Sequence, residues 1–314
     1  IFPKKTGMFV EIKRGGVTMY TNNQLEVIHL QDSYTIMYAL LAREIMNALG
    51  EKGERIVREA TRRYGKDRGR TRREKHEALG VKINMHSLFA VCSDLPSDPR
   101  FRRDRLKLTD EERNSHTLVC PMAEVWDQYD ARRIGRIYCE EFHRACYQEY
   151  AFGLTQVNLA QTLTQDGDGY CDFHVVLRKA NVPSDKKAKC FAEYDPGYKV
   201  PQIDGSAEAG KSGFSSLCVR VYYYMLEVLY EECPDQAVKV MTKALHVWAE
   251  DAAEHLIQES TEMHQKLSRE FADKHFPLYV NMDDDPLWNK YDRYGAKELL
   301  KTEFYKNFFE RLGI

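Results

Sequence analysis

The chain has 314 residues, of which 43% are hydrophobic and 30% are charged, the balance of a globular protein with enough apolar material for a core. Lys and Arg total 46 and Asp and Glu total 48, so the formal net charge is −2. This near-neutrality argues against a globally basic nucleic-acid-binding protein. The sequence has no uncharged apolar run of about 18 residues, so no transmembrane helix is predicted.

The chain start and the cysteines predict the compartment. The first residues, Ile1-Phe2-Pro3-Lys4-Lys5, lack the long apolar region of a signal peptide. Eight cysteines in 314 residues are too few for a disulfide scaffold. We therefore expect reduced thiols, a cytoplasmic location, and a small molecule as partner instead of a nucleic acid or a membrane.

The N-terminal elements are predicted to be extended and then helical. Residues 8–31 alternate weakly around the turn signal Arg14-Gly15-Gly16, which indicates a short extended segment. A helix is predicted from the cap Asp32-Ser33 to Gly50. A second helix is predicted from Glu51 to Gly65.

The middle of the chain is predicted to hold a loop, a helix and a hairpin. Residues 93–115 contain Pro96, Pro99 and many charges, which is typical of a loop. The apolar spacing over Arg132–Tyr150 predicts a helix. Segments 154–164 and 170–177 flank a Gly-rich turn and predict a β-hairpin.

These elements indicate an α+β protein. A helical N-terminal segment leads to a small antiparallel sheet packed on helices, and a helical C-terminal extension follows. The predicted divisions are an N-terminal strand and helical segment (1–92), an α+β core that carries the Cys and His candidates (93–180), a linker (181–214) and the helical extension (215–314). The extension is also interpreted as a degenerate repeat of residues 33–101, with chance similarity of amphipathic helices as the alternative.

Candidate chemistry is concentrated on the Arg132–Tyr150 helix. Cys139, His143 and Cys146 are spaced to share one helical face. A thiol and an imidazole one turn apart suit a thiolate–imidazolium pair, in which the cation lowers the thiol pKa. Glu140 or Glu141 is the candidate that orients the imidazole or acts as acid or base. The alternative is ordinary packing, because free cysteine is often a small buried hydrophobe.

Two further cysteines and an aspartate lie near this helix in the sequence. Cys120 ends a short apolar strand, Asp168 lies in the Gly-rich turn, and Cys171 begins the returning strand. Zinc is not favoured, because Cys171 and His174 are three residues apart and face opposite sides of a strand. Calcium is not favoured either, because an EF-hand loop does not fit the residues after Asp168. No cofactor is predicted.

A basic stretch, residues 52–75, holds eleven Lys or Arg residues against four acidic residues. Most such runs are solvated helix faces. Arg68 nevertheless suits bidentate binding of a substrate carboxylate, with Tyr64, Asp168 and Cys120 as further substrate-binding candidates.

The chain resembles the L-2-amino-thiazoline-4-carboxylate hydrolase family over roughly residues 35–178. The motifs that carry the likeness are Leu49-Gly50-Glu51-Lys52-Gly53, Arg63-Tyr64-Gly65-Lys66-Asp67-Arg68-Gly69, Cys139-Glu140-Glu141, Thr162-Leu163, Gly167-Asp168 and Cys171-Asp172-Phe173. The segment formed by the last two motifs, Gly-Asp-x-x-Cys-x-Phe, is also similar to the 4-vinyl-reductase type of small-molecule-binding domain. Where the family often has Cys-x-x-Asp, this chain has Phe142 and then His143.

The resemblance implies hydrolysis of a small cyclic amidine or amide. In the family's named reaction, water adds at C2 of a five-membered ring and the ring C–S bond is lost. The roles that this implies are nucleophile for Cys139 or Cys171, acid or base for His143 with Glu141, and carboxylate binding for Arg68. We expect the reaction to be metal-independent.

Three other functions remain open from the sequence. A sensor or carrier module would use the same pocket without catalysis, and an isomerase or lyase would use the same acid–base groups on a cyclic substrate. A structural or interaction subunit would use the C-terminal helices as an interface, and these helices are also where a homo-oligomer would form.

Overall fold

The computed structural model describes residues 9–13, 16–91, 95–203 and 210–314. The predicted α+β class is confirmed: helices at both ends of the chain enclose a small antiparallel sheet. None of the helices in these ranges is both long and apolar enough to cross a membrane.

The N-terminal strands are followed by a helix that starts earlier than the sequence predicts. Strands β1 (Phe9–Lys13) and β2 (Gly16–Tyr20) pair antiparallel, while Arg14 and Gly15 of the predicted turn lie outside the described residues. Helix α1 spans Asn22–Leu49, so the predicted cap at Asp32-Ser33 is wrong. The cap is Thr21, whose side chain and backbone exchange hydrogen bonds with Gln24 in a capping box.

Helix α2 spans Glu51–Ala78, so the predicted end at Gly65 is also wrong. Its glycines serve packing against helix α5, which spans Arg132–Tyr150 as predicted. A Cβ atom at Gly65 would lie 2.8 Å from the Phe142 carbonyl oxygen, and one at Gly69 would overlap the Cys146 carbonyl. Two glycines one turn apart therefore allow the α2 and α5 backbones to approach closely.

The central sheet has four antiparallel strands in the order β3-β4-β6-β5. Their bounds are β3 Arg102–Leu108, β4 Glu112–Val119, β5 Gln156–Leu159 and β6 Cys171–Val176. The predicted hairpin is confirmed as β5 and β6. The predicted loop over 93–115 is wrong, because it contains β3 and the start of β4; β3 is an edge strand, and edge strands often carry charged side chains.

The strand register determines which residues face the helices. Cys171 is opposite Thr117, which is opposite Arg103, and Ser115 is opposite Phe173. Because directly paired residues point to the same side of a sheet, these side chains share one face with Arg113, two residues from Ser115. We call this the inner face.

Short helices connect these elements, and long helices form the C-terminal extension. Their bounds are α3 Met85–Ala90, α4 Pro121–Gln128, α6 Ser184–Cys190, α7 Gly210–Glu232, α8 Pro234–Glu262, α9 Arg269–His275, α10 Ala296–Leu299 and α11 Lys306–Leu312. A π-helical turn, Leu300–Tyr305, joins α10 to α11. Part of the predicted linker, residues 204–209, lies outside the described residues.

One apolar core includes α1, α2, α4, α5, α7 and α8. Helix α1 packs on α8 and α2 packs on α7, so the C-terminal helices cover the N-terminal pair. The predicted domain bounds and the predicted repeat stay predictions.

Candidate active site

The buried face of α5 meets the inner face of the sheet at His143 and Phe173. Their rings are 4.9 Å apart and nearly perpendicular. The rings of Phe142 and Tyr147 also pack against the His143 imidazole. We call this region the sheet–α5 site; it is built from Arg103, Arg113, Ser115, Cys120, Cys139, His143, Tyr147, Cys171 and Phe173.

His143 is a neutral imidazole at the centre of this site. Burial is the main reason that the pKa of His143 falls to about 3, and the positive charges of Arg113 and Arg103 lower it further. The His143 Nδ1 atom is 3.2 Å from the Tyr147 hydroxyl. The imidazole therefore has an acceptor or donor partner, but it does not carry a positive charge near neutral pH.

Two arginines act on His143, and in the described residues neither of them is ion-paired to a carboxylate. The Arg113 guanidinium lies 4.1 Å from the centre of the Phe89 ring, and the Arg103 guanidinium lies 3.7 Å from that of Phe101. Burial lowers the pKa of both guanidinium groups, although Arg103 is exposed on one side. Guanidinium groups arranged in this way suit a bound anion.

The side chain of Ser115 is a further polar group on the inner face. It is 1% exposed, and its hydroxyl has no hydrogen-bond partner in the described structure. A buried hydroxyl without a partner is destabilising. A polar atom of a bound ligand would satisfy it.

The three cysteines Cys120, Cys139 and Cys171 are thiols in this environment. Burial raises the pKa of Cys120 to about 11, raises that of Cys171, and raises that of Cys139 far above its usual range. The predicted thiolate–imidazolium pair of Cys139 and His143 is therefore not the resting state, because burial disfavours both of its charges.

Cys120 differs from the other two cysteines in its surroundings. It is half-buried and precedes the first turn of α4, where the backbone N–H groups of Met122 and Ala123 and the charge of Arg103 favour its thiolate. By contrast, Cys171 is buried and accepts a hydrogen bond from the Leu163 backbone nitrogen at 3.3 Å. A partly accessible thiol at a helix N-terminus is the more reactive type.

The structure does not bring Glu141 to His143. Residues two apart on a helix point roughly 200° apart. The two Glu141 oxygens accept hydrogen bonds from Arg58 at 3.1 Å and from Arg62 at 2.9 Å. Its predicted role as the group that orients the imidazole is corrected: Glu141 joins α5 to α2.

The other candidates are also placed differently from the prediction. Arg68 lies in the middle of α2 and does not follow a helix end. Burial raises the pKa of Tyr64 and Tyr138, and the charge of Arg68 opposes this rise in part. Tyr64 is fully buried, and its hydroxyl is 3.0 Å from that of Tyr34. Asp168 accepts a hydrogen bond from the Thr162 backbone and so stabilises its own loop.

Sequence reasoning missed Arg103, Arg113, Ser115 and Tyr147. The first three lie in residues 93–115, for which the sequence predicts a loop, so the sequence does not indicate on which face of a sheet their side chains lie. Tyr147 follows His143 by one helical turn, and this spacing was the signal that could have identified it.

Within the described ranges, no group of three or more His, Cys, Asp or Glu side chains is arranged to hold a metal ion. His174 faces away from Cys171 and lies 2.9 Å from Glu112, in agreement with the opposite faces predicted for these two residues.

Comparison with known protein families gives one match. Residues 31–175 match the family L-2-amino-thiazoline-4-carboxylic acid hydrolase. Comparisons with curated proteins and with solved structures found no match. The likeness to the 4-vinyl-reductase type of domain stays a prediction. Residues 31–175, which we call the family segment because they match this family, contain the whole sheet–α5 site. The match agrees with the resemblance that the sequence motifs predicted.

Proposed function

We propose that this protein is a hydrolase that opens a small cyclic amidine or amide ring bearing a carboxylate, at the sheet–α5 site. The family is named for a hydrolase, which supports the general class. The observation that carries the finer proposal is the pair of guanidinium groups, Arg103 and Arg113, whose charges act on a neutral His143.

In this proposal the substrate carboxylate binds Arg113 and Arg103. Phe173 offers an apolar surface for a flat ring, and the unsatisfied Ser115 hydroxyl offers a hydrogen bond to a ring heteroatom. This assigns to Arg103 and Arg113 the role that the sequence suggested for Arg68.

Substrate binding also prepares the base. Burial is the main cause of the low pKa of His143, and the charges of Arg113 and Arg103 lower it further. A carboxylate that neutralises these two charges removes the second cause and so raises the pKa of His143. A general base works best when its pKa is near the operating pH. The free enzyme therefore holds a weak base that the correct substrate strengthens.

In the proposed reaction the nucleophile is a water molecule, which attacks the amidine carbon of the ring. His143 takes a proton from water while the water oxygen bonds to the amidine carbon. During the attack the electron pair of the amidine C=N bond moves to its nitrogen. The new hydroxyl group then becomes the product carbonyl, and its proton passes through solvent to that nitrogen. The ring C–S or C–N bond breaks, and the leaving sulfur or nitrogen receives the first proton back from His143. Water is favoured over a thiolate as nucleophile, because burial keeps Cys139 and Cys171 protonated.

The test is ring opening of L-2-amino-thiazoline-4-carboxylate by the purified chain, followed by appearance of the free thiol. His143→Gln is expected to abolish turnover. In the water mechanism Cys139→Ala and Cys171→Ala retain activity, whereas loss in either would make that thiol a participant. Cys120→Ala tests the half-buried thiol in the same way: retained activity means that Cys120 takes no part in turnover, and lost activity means that it does. Full activity of His143→Gln would overturn the proposal.

A sensor or carrier function is the second candidate. It is favoured by the neutral state of the three thiols and of His143, since none of them is poised for catalysis in the free protein. Binding of the carboxylate ligand without turnover would support it. An isomerase or lyase would be recognised by a product that contains no added water.

A further inference from the structure

A cavity of about 580 Å³ lies in the C-terminal extension, outside the family segment 31–175. This volume is in the range of small-molecule sites. Its walls come from the start of α9, the segment around Asn281, the π-helical turn and α11. Nothing in the hydrolase proposal uses it.

Three basic side chains on its wall, Arg269, Lys301 and Lys306, form no ion pair in the part of the chain that the structure describes. A fourth, Lys297, is bound to Asp283 at 2.6 Å and is therefore neutralised. This hydrogen bond is the main cause of the lowered pKa of Asp283, and the charge of Lys301 helps to lower it. The lining as a whole has four basic and three acidic side chains, so its net charge is positive.

The π-helical turn explains why two of these lysines lie together. Residues five apart in an α-helix point roughly 140° apart, which would place Lys301 and Lys306 on different sides. A π-helix closes its hydrogen bonds from i to i+5, so residues five apart are stacked about one turn apart. Both lysines accordingly line the same cavity.

The floor of the cavity is aromatic. Tyr305 and Phe309 are stacked with their ring centres 5.5 Å apart, and the Arg269 guanidinium lies 4.4 Å above the centre of the Phe309 ring. The Tyr305 hydroxyl is fixed by the Tyr279 carbonyl at 2.6 Å. Tyr305 is buried and Phe309 is partly exposed, so a planar ring would pack on Phe309 and on the Arg269 guanidinium that covers it.

We propose that this cavity binds a small organic phosphate that carries a planar ring. Arg269, Lys301 and Lys306 match a phosphate monoester, which has a charge of about −1.5 to −2 near neutral pH, better than a single carboxylate. The carboxylates of Asp292 and Glu298 also line the cavity and leave its net charge only slightly positive. Glu298 and Asn281 remain on the wall to bind polar groups on the ring or on a sugar.

The experiment is calorimetric titration of the full chain with adenosine 5′-monophosphate and, as the matched uncharged probe, adenosine. We expect the monophosphate to bind roughly ten-fold or more tightly than adenosine, the effect of charge-assisted hydrogen bonds. Lys301→Gln and Lys306→Gln are each expected to weaken the monophosphate about ten-fold and to leave adenosine unchanged. Both lysines are exposed, so these variants should fold.

The control is Lys266→Gln, a substitution of an exposed lysine that does not line the cavity. Equal binding of the two probes, no binding of the monophosphate at millimolar concentration, or the same loss in Lys266→Gln would each overturn the proposal. Ring opening by the family segment is measured separately, so its presence or absence does not affect this result.

Discussion

Arginine has opposite surroundings in two regions that lie on either side of α5. On the α2 side, Arg58, Arg62 and Arg63 are each held by glutamates, among them Glu141 and Glu227. On the sheet side, Arg103 and Arg113 contact aromatic rings and are not ion-paired in the described structure.

The difference separates cations that join helices from cations available to a ligand. The basic stretch 52–75 attracts notice in the sequence, but its ion pairs bind α2 to α5 and α7. Arg103 and Arg113 belong to no such run, yet their charges act on the one imidazole at the centre of the site. Charge density along the chain is thus a poor guide to where an anion binds.

The largest expected effect is a loss of stability at the contact between α2 and α5, which joins the two regions. Gly69→Ala would place a methyl group on the Cys146 carbonyl. We expect the free energy of unfolding in urea to fall by about 3 kcal/mol, because this clash exceeds the roughly 1 kcal/mol that alanine adds to helix propensity. Gly169→Ala is the control, since its Cβ would meet nothing within 4 Å; equal stability of both variants would contradict the close approach.

The second effect contrasts the two kinds of arginine directly. Arg113→Met is expected to lower kcat/KM for the carboxylate substrate about 100-fold, because it removes a desolvated charge–charge contact. Arg62→Met, which removes a glutamate-bound arginine, is expected to leave kcat/KM within about two-fold. Similar losses in both variants would erase the distinction between the regions.

The third effect concerns His143 and acid stability. The native pKa of His143 is about 3, below its ordinary 6.5, so between these values the unfolded chain binds a proton that the native state does not. Stability therefore falls as pH falls through this window. Between about pH 7 and pH 5 the wild type should lose about 1 kcal/mol more than His143→Gln in urea unfolding, with partial exposure reducing the full linkage value. Parallel losses would mean that His143 is not held neutral.

The smallest effect tests an exposed pair on the α2 side. Arg136 and Glu140 are 2.7 Å apart and are 49% and 36% exposed. We expect Arg136→Gln to change the free energy of unfolding by less than about 0.5 kcal/mol, as is usual for exposed pairs, and to leave turnover unchanged. A larger loss would show that the α2-side ion pairs act as a cooperative network.

Sequence patterns predicted α5, the β5–β6 hairpin and the end of α1, because each has clear apolar periodicity or a stop at glycine. They failed at Gly65, where glycine serves a close helix contact instead of a helix end. They also failed at β3, where charged residues of an edge strand resemble a loop.

The sequence predicted where the candidate site lies on α5 better than it predicted the ionisation states of the side chains in it. The shared face of Cys139 and His143 was visible from their spacing, and both belong to the sheet–α5 site. Their ionisation was not visible, because it depends on burial and on Arg113, which lies 30 residues earlier than His143 in the sequence. Glu141 shows the same limit, since its partners come from another helix.

The shared core has a consequence for how this chain can be divided. Helices α7 and α8, which lie beyond the family segment, bury the outer sides of α1 and α2. A fragment that stops after residue 175 would expose these apolar surfaces to water and lose the cooperativity of the intact protein. The end of the family match therefore does not coincide with the end of the folding unit, which extends into α7 and α8.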